Sequence, residues 1–557
     1  MVSRDKINVG DLRVLLDKLD GRGYKRYRVL YDYVILYDGY QGYFTKIQAD
    51  PYAPPSVFEV KIPHSIHRLR RDLLDNVVPL TDYIYRLLYR GLRRYCVKCG
   101  SGHSCYLGVP RPSPAMLLRS GVEIHGSTLI TRFYVGLPAR GRRILGDRAY
   151  EVLAHNIPRA LSFIRRLCDM VEEIEKYVNV YNDHFFLVEW LRRNNGVAFI
   201  GDDSVLPRET SISDKPLRGA KPFKSPEKLR RVIKLPSGKT ISGMVIPRGL
   251  TIITGGGYHG KSTLLDTLAE AIYPHIPGDG REYVVSLPRT FYVEAEDRRI
   301  ISCVDISSFI DSTRLPVKIN VDCFTSLDAS GSTSMAASIN EVIELGAELL
   351  LIDEDTSATN LLYKDNVMEK ILRYEPIKSL DKQAKSLIEK TGANLVIVSS
   401  ASSTYLGLAD TIIVMENYIP RLLDKPLKIT RSTTIDYVVP RKRIFRCVKD
   451  LQRIKARGYK IIAKYRDGIV YEVDLRRNKR IVEKGQVKMI AKIIEFITKN
   501  YNDILVEKLI IEINNLFKER GFRAFVKNPP PDLTWVDPVD AIWVLNRLYN
   551  SIFQISR

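Results

Sequence analysis

The residues with the clearest chemical meaning form one glycine-rich stretch, residues 255–263. It reads Gly255, Gly256, Gly257, Tyr258, His259, Gly260, Lys261, Ser262, Thr263 and satisfies the pattern G-x-x-x-x-G-K-[ST]. Glycines let successive backbone N–H groups turn toward phosphate oxygens. We expect Lys261 to reach the β and γ phosphates of ATP and the hydroxyl of Ser262 to bind Mg²⁺. The stretch therefore predicts a phosphate loop.

Two adjacent carboxylates, Asp353 and Glu354, follow the apolar run 349–352. Four apolar residues predict a buried parallel strand, and ligands of open α/β sheets bind where such strands end. Asp353 is then the residue that holds Mg²⁺ through water, and Glu354 is the general base that polarises the attacking water. Lys261, Asp353 and Glu354 are the catalytic residues that the sequence predicts.

A third motif lies upstream of this strand, and a segment with helical spacing separates the two. Ser330, Gly331 and Ser332, with Gly331 22 positions before Asp353, stand at the start of an amphipathic pattern that includes Ile339 and Val342. Small hydroxyl residues around a glycine at a helix start favour anion binding. The position is that of the signature loop in ABC-type ATPases, which covers the ATP of an opposing subunit.

The elements around these motifs define an α/β fold. Residues 251–254 are β-branched and predict a buried strand, and residues 262–272 have helical spacing, so the loop between them has the strand–loop–helix context that a phosphate site requires. A decoy, Gly238-Lys239-Thr240, lacks this context because Ile233 stands where the first glycine is required. The chain thus carries one phosphate loop.

Net charge divides the 557 residues into three parts. The whole chain carries +22, distributed as +13 over residues 1–170, −4 over 171–430 and +13 over 431–557. We interpret 1–170 as a basic N-terminal α+β domain, 171–430 as an ABC-type ATPase domain and 431–557 as a basic C-terminal α+β domain. Two basic flanks around an acidic centre suggest a polyanion partner, nucleic acid first, although a charged surface typical of heat-adapted proteins is the alternative.

One cysteine cluster has the spacing of metal ligands. Cys96, Cys99, His103 and Cys105 offer three thiols and an imidazole within ten positions, a set that tetrahedral zinc accepts. The step from His103 to Cys105 is unusually short and a second CxxC pair is missing. A zinc site, a disulfide and unligated cysteines therefore remain as three alternatives. Seven cysteines in all, an odd number, do not form a secreted disulfide framework.

Taken together, these motifs resemble the stand-alone "ATPase of the ABC class" family. The pairing of Gly-Gly-Gly-Tyr-His-Gly-Lys-Ser at 255–262 with Ile-Asp-Glu-Asp-Thr-Ser-Ala-Thr-Asn at 352–360 is highly specific. The resemblance also includes residues 21–25, 50–56, 136–142, 206–208, 275–282, 296–297, 304–306 and 330–337. It implies an ABC-type core between family-specific terminal domains. One member is associated with mitochondrial RNA processing, so the resemblance also implies an RNA-linked role.

The sequence departs from membrane-transporter ABC domains at two sensor positions. No glutamine lies between Lys261 and Asp353, and Asp305 is the candidate for that place. No histidine follows the run 395–398, where Ser400 is the candidate. A serine can hydrogen-bond phosphate but does not titrate near neutrality, which favours slow turnover. Phe223 is a candidate for stacking on adenine, although an aromatic there is more often part of the core.

From these observations we expect a Mg²⁺-dependent ATPase that works as a homodimeric clamp. One phosphate loop and one signature loop per chain require two chains for two composite sites. The basic flanks favour nucleic acid, most of all RNA, as the partner; the alternative is a nucleotide-switched scaffold that clamps a protein or ribosomal partner. No apolar run approaches the roughly 18 residues of a membrane span, so we expect no membrane partner and a cytoplasmic location.

Overall fold

The computed structural model describes residues 4–210, 213–364, 371, 374–400, 403–423 and 434–556. The chain divides into two compact units. The first contains Met1–Asn179 and Arg520–Trp535, and the second contains Val180–Glu519 and Val536–Arg557. Within the described residues, no helix is long and apolar enough to cross a membrane. The boundary predicted between residues 430 and 431 falls in the segment 424–433, which lies outside the described residues.

The first unit is built on a mixed sheet of seven strands. Its spatial order is Asp5–Asn8, Tyr33–Leu36, Gln41–Lys46, Ser56–Ile62, Thr128–Val135 and Leu107–Gly108, with Val122–His125 also paired to Thr128–Val135. Only the first pair of strands is parallel. The rings of Phe44, Phe58 and Phe133 pack at steep angles across three neighbouring strands, with centroids 4.9 and 5.7 Å apart, and are part of the core.

Helices cover this sheet and a small hairpin extends from it. The longest helix lying wholly within this unit, Val77–Tyr95, buries Leu80, Ile84, Leu88 and Leu92, the three-to-four-residue spacing of an amphipathic helix. The other elements are the helices Val9–Leu19, His64–His67, Arg71–Leu74, Gly146–Tyr150 and Ile157–Ala160, the tighter or wider turns Tyr24–Asp32, Glu151–Asn156 and Ser162–Asp169, and the hairpin Ala139–Arg140 with Arg143–Ile144. A C-terminal segment also belongs to this unit, since Ser120 donates to the carbonyl of Pro530 at 2.5 Å.

The second unit contains the sheet that the motifs require. Its six strands lie in the order Thr290–Val293, Leu349–Asp353, Asn394–Val398, Leu250–Gly255, Thr411–Glu416 and Ile419–Leu422, and all but the last are parallel. The three central strands are almost wholly buried, as expected for parallel strands covered on both faces. Their carboxyl ends meet at one edge, where Gly255, Asp353 and Val398 terminate.

Three antiparallel sheets and one antiparallel strand pair complete the β-structure of this unit within the described residues. One sheet has the order Arg230–Lys234, Thr240–Pro247, Gly196–Gly201 and Val284–Ser286. The strand pair joins Arg299–Val304 with Phe324–Ala329. Towards the C-terminus, Leu451–Arg457, Lys460–Tyr465 and Val470–Asp474 form a three-stranded sheet, and Ile504–Leu505, Arg443–Val448 and Ser551–Ile555 form another. The helices are Lys261–Glu270, Gly331–Glu344, Thr359–Leu362, Leu380–Thr391, Lys484–Asn500, Val506–Arg520 and Pro538–Leu545, while Val171–Arg193 includes residues of both units.

The predicted α/β class with an ABC-type P-loop core is confirmed. The strand predicted at 251–254 is Leu250–Gly255, and the helix predicted at 262–272 is Lys261–Glu270. In the second unit, Asp467-Gly468 lies in the turn that joins the antiparallel strands Lys460–Tyr465 and Val470–Asp474. Local periodicity was sufficient for these elements because their apolar faces pack within one unit.

Candidate functional site

The phosphate loop joins a buried strand to a helix through two glycines with positive φ. Gly255 has φ of 136° and Gly260 has φ of 90°, both in the region that favours glycine. A Cβ at Gly255 would stand 2.3 Å from the carbonyl oxygen of Met415, so a side chain there would force the strands apart. Gly260 is the N-cap of Lys261–Glu270 and provides no side-chain cap. The first N–H groups of this helix are therefore available to an anion.

Lys261 is held inside the loop. Its ammonium group donates to the carbonyl oxygens of Gly255 at 2.8 Å and Gly256 at 2.7 Å, and the side chain is largely buried. Carbonyl oxygens orient the ammonium without neutralising its charge. The geometry thus leaves a full positive charge beside the uncapped helix start, which is the electrostatic requirement of a phosphate site.

The remaining loop residues have different surroundings. His259 packs against the strand Thr411–Glu416, where its Nδ1 lies 3.3 Å from the N–H of Asn417. Tyr258 is 98% exposed at the tip of the loop with φ of 62°, an unusual conformation for a bulky residue. Thr263 lies in the first turn of the helix, where its carbonyl accepts from Thr267 at 2.7 Å. Histidine thus anchors the loop, while the tyrosine projects from it.

Ser262 and Asp353 converge as the motifs predicted. The hydroxyl of Ser262 donates to Oδ2 of Asp353 at 3.0 Å, although the two residues are 91 positions apart. Asp353 is 2% exposed, and this burial raises the pKa of its carboxyl above the ordinary value. A hydroxyl and a buried carboxylate are hard oxygen donors of the kind that Mg²⁺ prefers, so these two side chains fit a magnesium ion.

Three groups orient Glu354, and two of them were missed at the sequence level. The hydroxyl of Tyr363 donates to Oε1 at 2.8 Å, while the Ser399 hydroxyl at 3.2 Å and the Ser400 N–H at 2.7 Å both donate to Oε2. Ser400, predicted as a sensor, therefore contacts the candidate base through its backbone. Tyr363 follows Glu354 by nine residues without a recognisable motif, and only the short helix Thr359–Leu362 returns it to the carboxylate.

The signature segment forms a capped helix start. Ser330 is the N-cap of Gly331–Glu344, and its oxygen accepts from the N–H of Thr333. Ser332 donates to Oδ1 of Asn360 at 2.6 Å, which joins this segment to the loop after the Asp353 strand. Within the described residues, no hydrogen bond or ion pair connects Ser330, Gly331 or Ser332 with residues 255–263. The structure thus brings the signature segment to Asn360 rather than to the phosphate loop of the same chain.

Asp305 and Phe223 are the two remaining candidates from the sequence. Asp305 is 2% exposed, accepts from the N–H and hydroxyl of Ser307 and lies 3.6 Å from Nε of Arg441. Its partners in the described part of the chain are therefore outside the phosphate loop. Phe223 is buried within the core near the antiparallel sheet, so its ring corresponds to the core alternative rather than to an exposed stacking surface.

The cysteine cluster contains a disulfide. Cys99 is bonded to Cys105, and Cys96 is a free thiol whose Sγ accepts from the N–H of Leu107. The disulfide uses two of the four predicted zinc ligands, so the zinc hypothesis for Cys96, Cys99, His103 and Cys105 is corrected to the disulfide alternative. Across the described residues, no group of three His, Cys, Asp or Glu side chains that could hold a metal is found. A second disulfide, Cys303 to Cys323, was not predicted because its cysteines lack motif spacing.

Two family models match this chain. Residues 170–450 match the P-loop domain model of ABC ATPases, and residues 9–166 match the model described as the N-terminal domain of ATPases of the ABC class. An uncharacterized protein of Methanocaldococcus jannaschii is 34% identical over 305 residues, which cover 50% of this chain and 67% of that protein. The solved structure of cbiO1 from Clostridium perfringens, part of the ABC transporter complex cbiONQ, is 16% identical and covers 35% of this chain and 87% of its own, with a TM-score of 0.22. On the family matches, the chain belongs to the ABC-class P-loop ATPases.

Proposed function

We propose that this protein hydrolyses ATP in a Mg²⁺-dependent reaction. The observation that carries the proposal is the convergence of Ser262, Asp353 and Glu354 at the carboxyl edge of one sheet, beside the uncapped helix start at Lys261. Each group has the chemistry that its place requires: an ammonium and N–H groups for phosphates, oxygen donors for a hard cation, and a carboxylate for a proton.

In this mechanism each side chain has one task. Lys261 and the N–H groups of its helix bind the β and γ phosphates. Ser262 with Asp353 would hold a magnesium ion, which when bound would supply positive charge against that developing on the phosphate oxygens. Glu354 accepts a proton from the attacking water. Tyr363, Ser399 and Ser400 donate to the carboxylate and fix its direction before the reaction, so little reorganisation is required at the moment of attack.

Glu354→Gln tests this assignment. Gln keeps the shape and one of the two acceptor oxygens but cannot take the proton, so we expect kcat to fall by about 10² to 10⁴ while ATP still binds. The matched control is Asp355→Asn, which neutralises the exposed neighbouring carboxylate. Phosphate release under single-turnover conditions measures the step. Equal turnover in Glu354→Gln and the parent protein would remove Glu354 from the mechanism.

We further propose that the working form is a homodimeric clamp. The signature segment contacts Asn360 instead of residues 255–263 of its own chain, and Tyr258 projects fully exposed from the phosphate loop. Both observations support sites completed by a second copy. ATP that contacts both copies favours the closed dimer, and hydrolysis removes those contacts.

Light scattering on Glu354→Gln tests the clamp. With MgATP we expect the mass of two chains, and with ADP the mass of one. A second variant, Ser332→Tyr, places a bulky ring in the signature segment, and combined with Glu354→Gln it should restore the mass of one chain in MgATP. A Glu354→Gln protein that binds MgATP yet stays monomeric contradicts the clamp without affecting the hydrolytic assignment.

For the partner of the clamp we propose a nucleic acid, with RNA favoured. One supporting surface lies in the first unit, where the segment 21–28 packs on the hairpin 139–144. Tyr24 N–H donates to the carbonyl of Arg142, Gly21 N–H to that of Ile144, and Arg143 returns a bond to Gly21. This packing gathers exposed cations into one patch: Arg22, Lys25, Arg26, Arg28, Arg140, Arg142 and Arg143. Tyr24 and Tyr27 are buried, so they support the patch and do not stack on bases.

A second supporting surface is the outer face of the sheet 451–474 in the second unit, here called the basic sheet face. It carries Arg453, Lys455, Arg457, Lys460 and Lys464. In the described part of the chain, only Lys460 among them has an ion-pair partner, Glu472 at 2.8 Å. Register places Arg453 opposite Lys464 and Arg457 opposite Lys460. Like charges directly opposite destabilise a sheet, and a phosphate backbone would relieve them.

The partner test is the ATPase rate with single-stranded RNA, duplex RNA, DNA and ribosomes. We expect stimulation by RNA, together with RNA affinity that falls steeply as salt rises. The basic sheet face presents no aromatic ring to stack on bases, so we expect little dependence on sequence. A rate indifferent to every nucleic acid, combined with ATP-dependent capture of a protein or ribosome, would replace this proposal with the scaffold alternative.

A further inference from the structure

A cavity of about 290 Å³ opens at the start of the helix Leu380–Thr391. Its wall includes four cations, Arg314, Lys364, Lys378 and Lys382, and two carboxylates, Asp311 and Glu375. None of the described residues around it belongs to the phosphate loop, the signature segment or the strand that ends in Asp353. The cavity is therefore separate in composition from the nucleotide site, and the described residues of its lining have a formal net charge of +2.

Ser379 is the most informative residue of this wall. It is 1% exposed, and within the described residues its Oγ has no hydrogen-bond partner. It also occupies the N-cap position of Leu380–Thr391 without making the usual side-chain cap. A buried hydroxyl without a partner costs about 1–3 kcal/mol, so a ligand that bonds to it would recover this loss. The N–H groups of the first helical turn lie next to it and favour an anion.

The lysines of the wall are directed by backbone carbonyls. Lys364 donates to the carbonyl of Ile377 and lies 3.3 Å from Glu375, and Lys378 donates to the carbonyl of Ser307. The carbonyl of Ser307 fixes the position of the Lys378 ammonium group without neutralising it, whereas Glu375 offsets part of the charge of Lys364. Burial lowers the pKa of Lys378 below its ordinary value, against the opposing effect of Asp311 and Asp305.

The carboxylates of the wall are engaged by neighbours on their own segments. Oδ1 of Asp311 accepts from the N–H and hydroxyl of Thr313, and Oδ2 lies 3.4 Å from Arg314. Oε1 of Glu375 accepts from the N–H of Ile377 at 2.9 Å as well as facing Lys364. Asp381, in the first helical turn, is buried and is not part of the cavity wall. The positive groups therefore dominate what the cavity offers to a ligand.

We propose that this cavity binds a small phosphate-bearing anion. A phosphate group accepts several hydrogen bonds at once, which matches a hydroxyl, helical N–H groups and lysines on one wall. The volume is at the lower end of small-molecule pockets, about 300–1,000 Å³, and suits inorganic phosphate or a small phosphate monoester. The two sources share this chemistry and differ only in the group attached to the phosphate.

Calorimetric titration of the full chain tests the site, with inorganic phosphate in one arm and glycerol 2-phosphate in the other. The titrated protein carries Lys261→Ala, so that the phosphate loop does not contribute the binding. We expect Ser379→Ala and the pair Lys378→Gln with Lys382→Gln to weaken binding about tenfold or more, since each removes hydrogen bonds to a charged group. The matched control pair is Lys385→Gln with Lys390→Gln on the same helix, which contact Asp410 and Asp436 instead.

The relative affinities for the two phosphate compounds identify the kind of ligand, and the variants show whether it binds in the cavity. Tighter binding of inorganic phosphate identifies a site for free phosphate, and tighter binding of the monoester identifies a site for a phosphorylated compound. Ser379→Ala guards against misfolding, because among the described residues its hydroxyl makes no hydrogen bond that the fold would lose. Absence of binding in both arms at millimolar concentration overturns the proposal. Equal weakening by the cavity variants and the control pair overturns it as well, because charge alone then explains the affinity.

Discussion

The nucleotide site and the basic sheet face use charge in opposite ways. In the nucleotide site each charged side chain is fixed by named partners: Lys261 by two carbonyls, Asp353 by Ser262, and Glu354 by Tyr363, Ser399 and Ser400. On the basic sheet face, Arg453, Lys455, Arg457 and Lys464 have no ion-pair partner among the described residues. In the nucleotide site, each charge is directed at particular atoms of the ligand. On the basic sheet face, the cations attract a polyanion through their combined electrostatic potential.

This difference predicts how each region responds to substitution. A preorganised charge contributes several kcal/mol because its surroundings exclude water and hold it in place. An exposed cation is screened within about 8–10 Å at ordinary ionic strength, so its individual contribution is small. Single changes should therefore abolish the function of the nucleotide site, while the basic sheet face should lose affinity gradually and in proportion to the number of cations removed.

Lys261→Ala is expected to give the largest effect. Two hydrogen bonds from an ammonium to phosphate oxygens contribute about 1.5–3 kcal/mol each, so ATP affinity should fall roughly 10²- to 10⁴-fold. The matched control is Lys239→Ala in the decoy Gly238-Lys239-Thr240, where the lysine lies over the ring of Tyr283. Equilibrium binding of a fluorescent ATP analogue measures both. Comparable losses in the two variants would show that general charge, rather than the loop, binds the nucleotide.

Glu344→Ala extends the comparison to stability. Arg443 is 1% exposed, and Glu344 accepts from its N–H at 2.7 Å and from its guanidinium at 2.8 and 2.6 Å. Removal of the carboxylate leaves a buried charge uncompensated, so we expect a loss of about 3–5 kcal/mol in the free energy of unfolding. Glu416→Ala, which breaks an exposed pair with Arg421, should cost at most about 1 kcal/mol. Denaturant unfolding compares them, and equal losses would refute the distinction.

The same contrast explains what the sequence could and could not predict. The phosphate loop, Asp353 and Glu354 are recognisable because their chemistry depends on fixed spacing next to a strand or a helix. No sequence spacing identifies Tyr363 and Ser399, because only the folded chain brings their hydroxyl groups to Glu354. Tyr363, for example, reaches the carboxylate because it follows the short helix Thr359–Leu362. The disulfide between Cys303 and Cys323 depends on the pairing of two strands, which composition does not encode. The net charge of each segment indicated that the two flanks are basic. Only the register of the strands shows that Arg453 lies opposite Lys464 and Arg457 opposite Lys460.

A triple substitution tests the summed action of the basic sheet face. Arg453→Gln, Lys455→Gln and Arg457→Gln together remove three cations from one strand. If each meets one phosphate of single-stranded RNA, the slope of log affinity against log salt should decrease by about 2, at roughly 0.7 per contact. The control removes three cations that already have carboxylate partners: Lys385, Lys390 and Lys492. Filter binding from low to high salt measures both, and an equal change in slope would assign RNA binding to total charge.

The smallest expected effect comes from the single substitution Arg453→Gln, which should change the free energy of unfolding and the RNA affinity in opposite directions. Arg453 faces Lys464 directly across the sheet, whereas Lys455 faces Ile462. Arg453→Gln should therefore raise the free energy of unfolding by about 0.2–1 kcal/mol through relief of the like-charge pair, while it lowers RNA affinity less than tenfold.

Lys455→Gln is the matched control, because it removes a cation from the same strand without relieving such a pair. It should weaken RNA binding to a similar degree and leave stability unchanged. The gain from Arg453→Gln should also disappear near 1 M salt, where the screening length falls to about 3 Å. Equal stability changes in the two variants, or a gain that persists in high salt, would show that the opposed cations do not repel and would remove the main structural reason to regard this face as a site for a phosphate backbone.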